Sequence, residues 1–111
     1  MELSVEKRND VAIVAAGGRL DAGGAPEFEA RCKALLQEGA KRLLLDLAKV
    51  DYISSAGLRG LLVLAKAVKS AGGAMALCSL APAVRDVMTI SGFDNILPLA
   101  ADRAAALDLL K

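Results

Sequence analysis

Apolar and polar residues alternate along this chain with two different periods. The opening "LSVEK" switches at every residue, as a strand with one solvated face does. After the turn residues "RND", "VAIVAAG" is a more continuous apolar run, and the two segments together predict an antiparallel hairpin. "GGRLDAGGAP" predicts a loop with flexible glycines at both ends, with Pro26 in the first turn of the next helix. In "PEFEARCKALLQEGA" the residues Phe28, Cys32, Leu35 and Leu36 recur at helical spacing, while Glu29, Arg31, Lys33 and Glu38 take the other face. Gly39 is placed to end that helix.

"RLLLDLA" is apolar over nearly its whole length, the pattern of a strand covered on both faces. "GLRGLLVLAKAVKSAGG" predicts a helix with Leu58, Leu61, Leu62, Ala65 and Val68 on one side. Lys66 and Lys69 approach its C-terminal end, where positive charge suits the helix dipole. "AMALCSL" predicts a strand, and "APAVRDVMTISGF" a helix started by Pro82 and stopped near Gly92. "NILPLA" is a short strand that Pro98 confines to an edge, and "DRAAALDLLK" is a closing helix capped by Asp102. The order β-β-α-β-α-β-α-β-α predicts one α/β domain over residues 1–111, a mixed, mainly parallel sheet packed by helices.

Composition narrows the possible functions. Aromatic residues are 3% of the 111, so the core is expected to be aliphatic, and the length suffices to bury one without disulfides. A net charge of +1, with acids and bases interspersed along the sequence, argues against direct nucleic-acid binding. Cys32 and Cys78 lie far apart and the chain has no histidine, so buried free thiols are expected, with no metal site and no cofactor. "MELSVEKRND" is not a signal peptide, and no stretch reaches the roughly 18 apolar residues of a membrane span. These features together predict a cytoplasmic protein with no membrane partner.

The binding and catalytic motifs that the sequence brings to mind are incomplete. "GGRLDAGG" lacks the Gly-Lys-Ser/Thr ending of a phosphate-binding P-loop and has no strict dinucleotide fingerprint. A hydrolase nucleophile elbow needs glycine two residues before the serine, where this chain has Ile53. Without histidine a Ser-His-Asp triad cannot form, and nothing nominates a lysine for a Ser-Lys pair. The chain is expected not to be an enzyme.

Residues 51–60, "DYISSAGLRG", interrupt two apolar stretches where a strand gives way to a helix. Ser54 or Ser55 as helix cap, with Gly57 permitting a tight turn, would account for the serines. Two features go beyond capping. Arg59 is expected in the first helical turn, where its charge opposes the dipole, and Gly57 and Gly60 weaken that turn by about 1 kcal/mol each relative to alanine. What results is a low-profile surface with hydroxyls, a cation and unpaired amides, suited to carrying a phosphate or receiving an acidic loop.

The same blocks resemble a known family. "GGRLDAGGAPEFE", "LLLDLAKVDYISSAGLRGLL" and "APAVRDVMTISGF", in that order and without large insertions, are similar to STAS-domain anti-sigma factor antagonists of bacteria. The resemblance implies that Ser55 is the phosphorylated serine. The residue before it, often Asp in that family, is Ser54 here, which makes Ser54 the second candidate. It further implies that Asp21 stands beside the phosphorylation site, and that Ser54, Gly57, Leu58 and Arg59 belong to the face that meets the partner. The implied partner is an anti-sigma factor that is also a serine kinase, with a separate serine phosphatase reversing the modification and the chain acting as a monomer. The same surface would also serve a STAS interaction module that is not phosphorylated, in a transporter or sensory scaffold.

Overall fold

The computed structural model describes residues 1–111 as a five-stranded sheet, ordered β1-β2-β3-β4-β5, and four helices. Strand β1 (Glu2–Arg8) pairs antiparallel with β2 (Val11–Leu20) through a two-residue turn in which Asn9 takes φ 57°, a conformation asparagine tolerates. From β2 onward every pairing is parallel: β2 with β3 (Arg42–Ile53), β3 with β4 (Ala74–Cys78), and β4 with β5 (Leu99–Ala100). The connecting helices are α1 (Ala25–Gln37), α2 (Ser55–Ser70) and α3 (Pro82–Ile90), and α4 (Arg103–Leu109) closes the chain.

Consecutive parallel strands joined by right-handed crossovers place all their helices on one face of the sheet. The core shows this arrangement. Phe28, Cys32 and Leu35 of α1, Leu61, Leu64 and Val68 of α2, and Val84 and Met88 of α3 pack against Val14, Leu43, Leu45, Leu47 and Leu77. On the opposite face only α4 is available, and Ala106 and Leu110 cover Val11, Ile13, Leu44, Ala76 and Cys78. Every fully buried large side chain is aliphatic, sulfur-bearing or Phe28, so a core of this size is built without tryptophan or tyrosine. No helix is long and apolar enough to cross a membrane.

Four expectations from the sequence change. Residues 17–20 are the last part of β2, not a loop, because Gly17–Leu20 pair with Lys49–Ile53 through two register shifts, at Ala15/Gly17 and Gly18/Arg19, that the small residues there accommodate. Strand β3 likewise runs through Tyr52 and Ile53 to the serine junction. The buried face of α2 consists of Gly57, Gly60, Leu61, Leu64 and Val68, so Leu62 turns outward to a half-buried position. In "NILPLA", a 3-10 turn at Phe93–Asn95 precedes a strand of only two residues, and Pro98 contributes its carbonyl to the Leu77 amide at 2.9 Å.

Candidate functional site

Strands β2 and β3 end in step, with Arg19 opposite Tyr52 and Leu20 opposite Ile53. The Ser54 amide extends the ladder by one bond, donating to the Leu20 carbonyl at 3.0 Å. The loop that starts at Asp21 and the helix that starts after Ser54 are therefore neighbours at the C-terminal edge of the parallel strands, where open α/β sheets present their binding surfaces.

The two serines divide the work. Ser54 is the cap: with extended backbone (φ −102°, ψ 176°), its hydroxyl accepts from the Gly57 amide at 3.2 Å, and the residue is half-buried. Ser55 is the first residue of α2, is exposed, and its hydroxyl makes no hydrogen bond to the protein. The Leu58 amide closes the first helical bond to the Ser54 carbonyl at 2.9 Å, and the Gly57 amide is taken by the cap. The amides of Ser55 and Ala56 precede that bond and keep no acceptor within the chain.

Arg59 is the fifth residue of α2, because the helix starts at Ser55 and not at Gly57, and so lies just past the first turn expected for it. It is four residues on from Ser55 and so on the same helix face, exposed and without an ion-pair partner. Its charge there opposes the dipole less than it would in the first turn. Leu58 is half-buried and packs against the core, offering only part of its side chain to a partner.

The glycines have a different purpose from the one the sequence suggests. Both Gly57 and Gly60 are buried on the inner side of α2 and offer no low outer surface. A β-carbon at Gly57 would overlap the Leu20 carbonyl oxygen and lie 3.0 Å from Ile53 Cγ1, so the glycine allows β2 and α2 to approach closely. A β-carbon at Gly60 would meet Glu29 Oε1 at 3.2 Å, where α1 crosses α2.

Asp21 organises its own loop. Its carboxylate accepts from the Gly23 amide at 3.0 Å and the Gly24 amide at 3.1 Å, and receives Arg19 Nε at 3.3 Å. The Gly24 amide, followed by Arg19 and the Gly23 amide, holds its carboxyl below the usual carboxylate range. Beside it, the Arg19 guanidinium lies 4.1 Å from the centre of the Tyr52 ring. Neither Arg19 nor Tyr52 stands out in the sequence, because a loop assignment for residues 17–26 leaves Arg19 without a cross-strand partner.

A second group that the sequence does not signal lies on the α4 face. Asp46 receives Arg103 Nε at 2.7 Å, with Glu6 3.6 Å from the same guanidinium, beside a groove of about 320 Å³ over Ala15, Gly17 and Ala48. These charges come from three separate parts of the chain, so no local motif reveals them. Cys32 and Cys78 are free and buried, and burial pushes the Cys32 thiol up to about 12.

The exposed, uncommitted start of α2 lies at the C-terminal ends of the parallel strands, the edge at which open α/β sheets carry their sites. The chain belongs to the STAS domain family, whose pattern matches residues 2–106. It is 42% identical over 106 residues to BtrV of Bordetella bronchiseptica, a candidate anti-sigma factor antagonist, with 96% of this chain and 91% of that protein covered. A crystal structure of an anti-sigma factor antagonist from Mycobacterium paratuberculosis superposes with a TM-score of 0.88 at 26% identity, covering 98% of this chain and 92% of that one. SpoIIAA, an anti-sigma factor antagonist solved in its unphosphorylated form, shares the fold, with a TM-score of 0.81 at 19% identity and 97% and 95% coverage. The Bacillus protein of that name has also been solved in its phosphorylated form.

Proposed function

We propose that this chain is an anti-sigma factor antagonist whose docking face centres on the start of α2 and is switched off by phosphorylation of Ser55. One observation carries the choice of serine: Ser54 spends its hydroxyl on the cap while that of Ser55 is exposed and uncommitted. The names of the relatives support the partner class, an anti-sigma factor. In this reading the anti-sigma factor is also the serine kinase, a separate phosphatase restores the hydroxyl, residues 1–111 form one STAS domain, and the protein works in the cytoplasm as a monomer. Asp21, Ser54, Gly57, Leu58 and Arg59 belong to the docking region, with Gly57 acting through the close approach it permits and Asp21 through the loop it holds.

The physics of the switch is local. A phosphate adds roughly −1.5 to −2 charges and three strong acceptor oxygens. Attached to Ser55, it meets two free amides at the helix N-terminus and the Arg59 guanidinium one turn away, so the fold accepts it without rearrangement. The same group inserts anionic bulk into a fitted protein contact, and a ten-fold loss of affinity requires only about 1.4 kcal/mol. Incubation with the cognate kinase and ATP, followed by mass spectrometry, tests the acceptor. Wild type and Ser54→Ala are expected to gain one phosphate and Ser55→Ala none. Labelling of Ser55→Ala at the wild-type level would refute the assignment.

A further inference from the structure

In the sequence, the cations of residues 55–70 look dispersed. On the helix they are collected. Ser55, Arg59, Leu62, Lys66 and Lys69 follow each other at intervals of three or four residues, opposite the buried side formed by Gly57, Leu61, Leu64 and Val68. Helix α2 contains no Asp or Glu, and none of its three cations is ion-paired, although seven salt bridges occur elsewhere in the chain. Those three charges exceed the +1 of the whole molecule, so the rest of the chain is net acidic. At the far end, about 21 Å from Ser55 by helical rise, Lys69 borders a shallow groove of about 250 Å³. Its apolar lining includes Ala65, Val68, Met75, Ile96 and Leu97. Ile96, 56% exposed, stands at its edge.

We propose that the outward face of α2 is a continuous docking track for an acidic protein segment. Its carboxylates lie along Arg59, Lys66 and Lys69, and one of its apolar side chains anchors in the groove beside Ile96. The inference rests on α2 being the docking helix and adds to it the chemistry of the partner and a second contact remote from the switch. Charge complementarity selects an acidic occupant. The small groove, with a single protruding isoleucine, suits one side chain better than a lipid surface, which takes a broad apolar face.

The test uses the intact chain, isotopically labelled, and a synthetic helical 14-residue peptide of Asp, Glu and Leu, with two control peptides. One control replaces the acids by Lys, and the other replaces Leu by Ser. NMR titration at low salt is expected to show the acidic peptide shifting the amides of Lys66, Lys69, Ile96 and Leu97. The Lys66→Glu/Lys69→Glu double variant is expected to bind at least ten-fold more weakly, with Ile96→Ser and the Ser-substituted peptide each weakening binding several-fold. Equal binding by the double variant, shifts confined to other surfaces, or preferential binding to phosphatidylglycerol vesicles would overturn the proposal. Ser55→Asp separates the two readings. It is expected to leave the shifts at Lys66, Lys69, Ile96 and Leu97 in place, so a Ser55 that proves irrelevant to the anti-sigma factor refutes the switch alone, and loss of peptide binding in the double variant stands independently.

Discussion

Replacing Gly57 by alanine sets two physical effects against each other. On helix propensity alone, alanine in place of glycine in α2 stabilises by about 1 kcal/mol. Against that, the added β-carbon overlaps the Leu20 carbonyl oxygen and stands 3.0 Å from both the Leu20 carbonyl carbon and Ile53 Cγ1. The oxygen belongs to backbone and cannot swing away. The helix start must therefore retreat by about 1 Å, stretching the 3.0 Å bond from the Ser54 amide to Leu20 and disturbing the cap onto Gly57. Overpacking costs typically 1–3 kcal/mol and a weakened hydrogen bond about 1 more, so the net expectation is a loss of about 2 kcal/mol. Urea denaturation followed by circular dichroism measures it as a lower midpoint at unchanged slope. Gly60→Ala is the control: its β-carbon meets the end of the flexible Glu29 side chain at 3.2 Å, which can move, so the helix-propensity gain survives and the variant is expected to be as stable as wild type or up to about 1 kcal/mol more stable. A Gly57→Ala protein as stable as Gly60→Ala would refute the close-approach account of the junction.

Three other expectations follow from named contacts. Ser54→Ala should lose about 1 kcal/mol of stability in the same assay through loss of the Gly57 cap, while Ser55→Ala stays within about 0.5 kcal/mol of wild type. The Cys32 thiol, buried and pushed up to about 12, should resist a maleimide at pH 8 in the native protein and react promptly in denaturant. Asp21 has a lowered carboxyl pKa in the fold, so its contribution to stability is present above its ordinary value of 3.8 and is lost as pH falls through the lower folded value. Accordingly, the stability gap between wild type and Asp21→Ala, measured by urea melts, should be constant near neutrality and should narrow below pH 3.8.

Much of the fold was legible because periodicity is a local property. The alternation in "LSVEK", the apolar run in "RLLLDLA" and the 3.6-residue spacing of Phe28, Cys32 and Leu35 each specify an element without reference to the rest of the chain, and Asp102 caps α4 as expected through its bond from Ala105 at 2.9 Å. What misled was glycine. At Gly17 and Gly18 it resembles loop chemistry but lies in a strand, and at Gly57 and Gly60 it resembles a weak helix start but lies on the buried side of α2, against the Leu20 backbone at Gly57 and the Glu29 side chain at Gly60. The same residue type answers both demands, and only the neighbour across space distinguishes them. The choice between the serines had the same cause. Both can cap a helix on sequence grounds, and the geometry at Ser54 decides which hydroxyl is left free. Arg19 over Tyr52 and Arg103 on Asp46 were unreadable because each joins residues distant in sequence.

The most direct test of the Ser55 switch is a calorimetric titration of the purified anti-sigma factor with this chain in two forms, unmodified and carrying phosphoserine at position 55. We expect the phosphorylated form to bind at least ten-fold more weakly, about 1.4 kcal/mol or more, with a circular dichroism spectrum matching that of the unmodified chain. Equal affinities for the two forms would contradict a docking face centred on that hydroxyl.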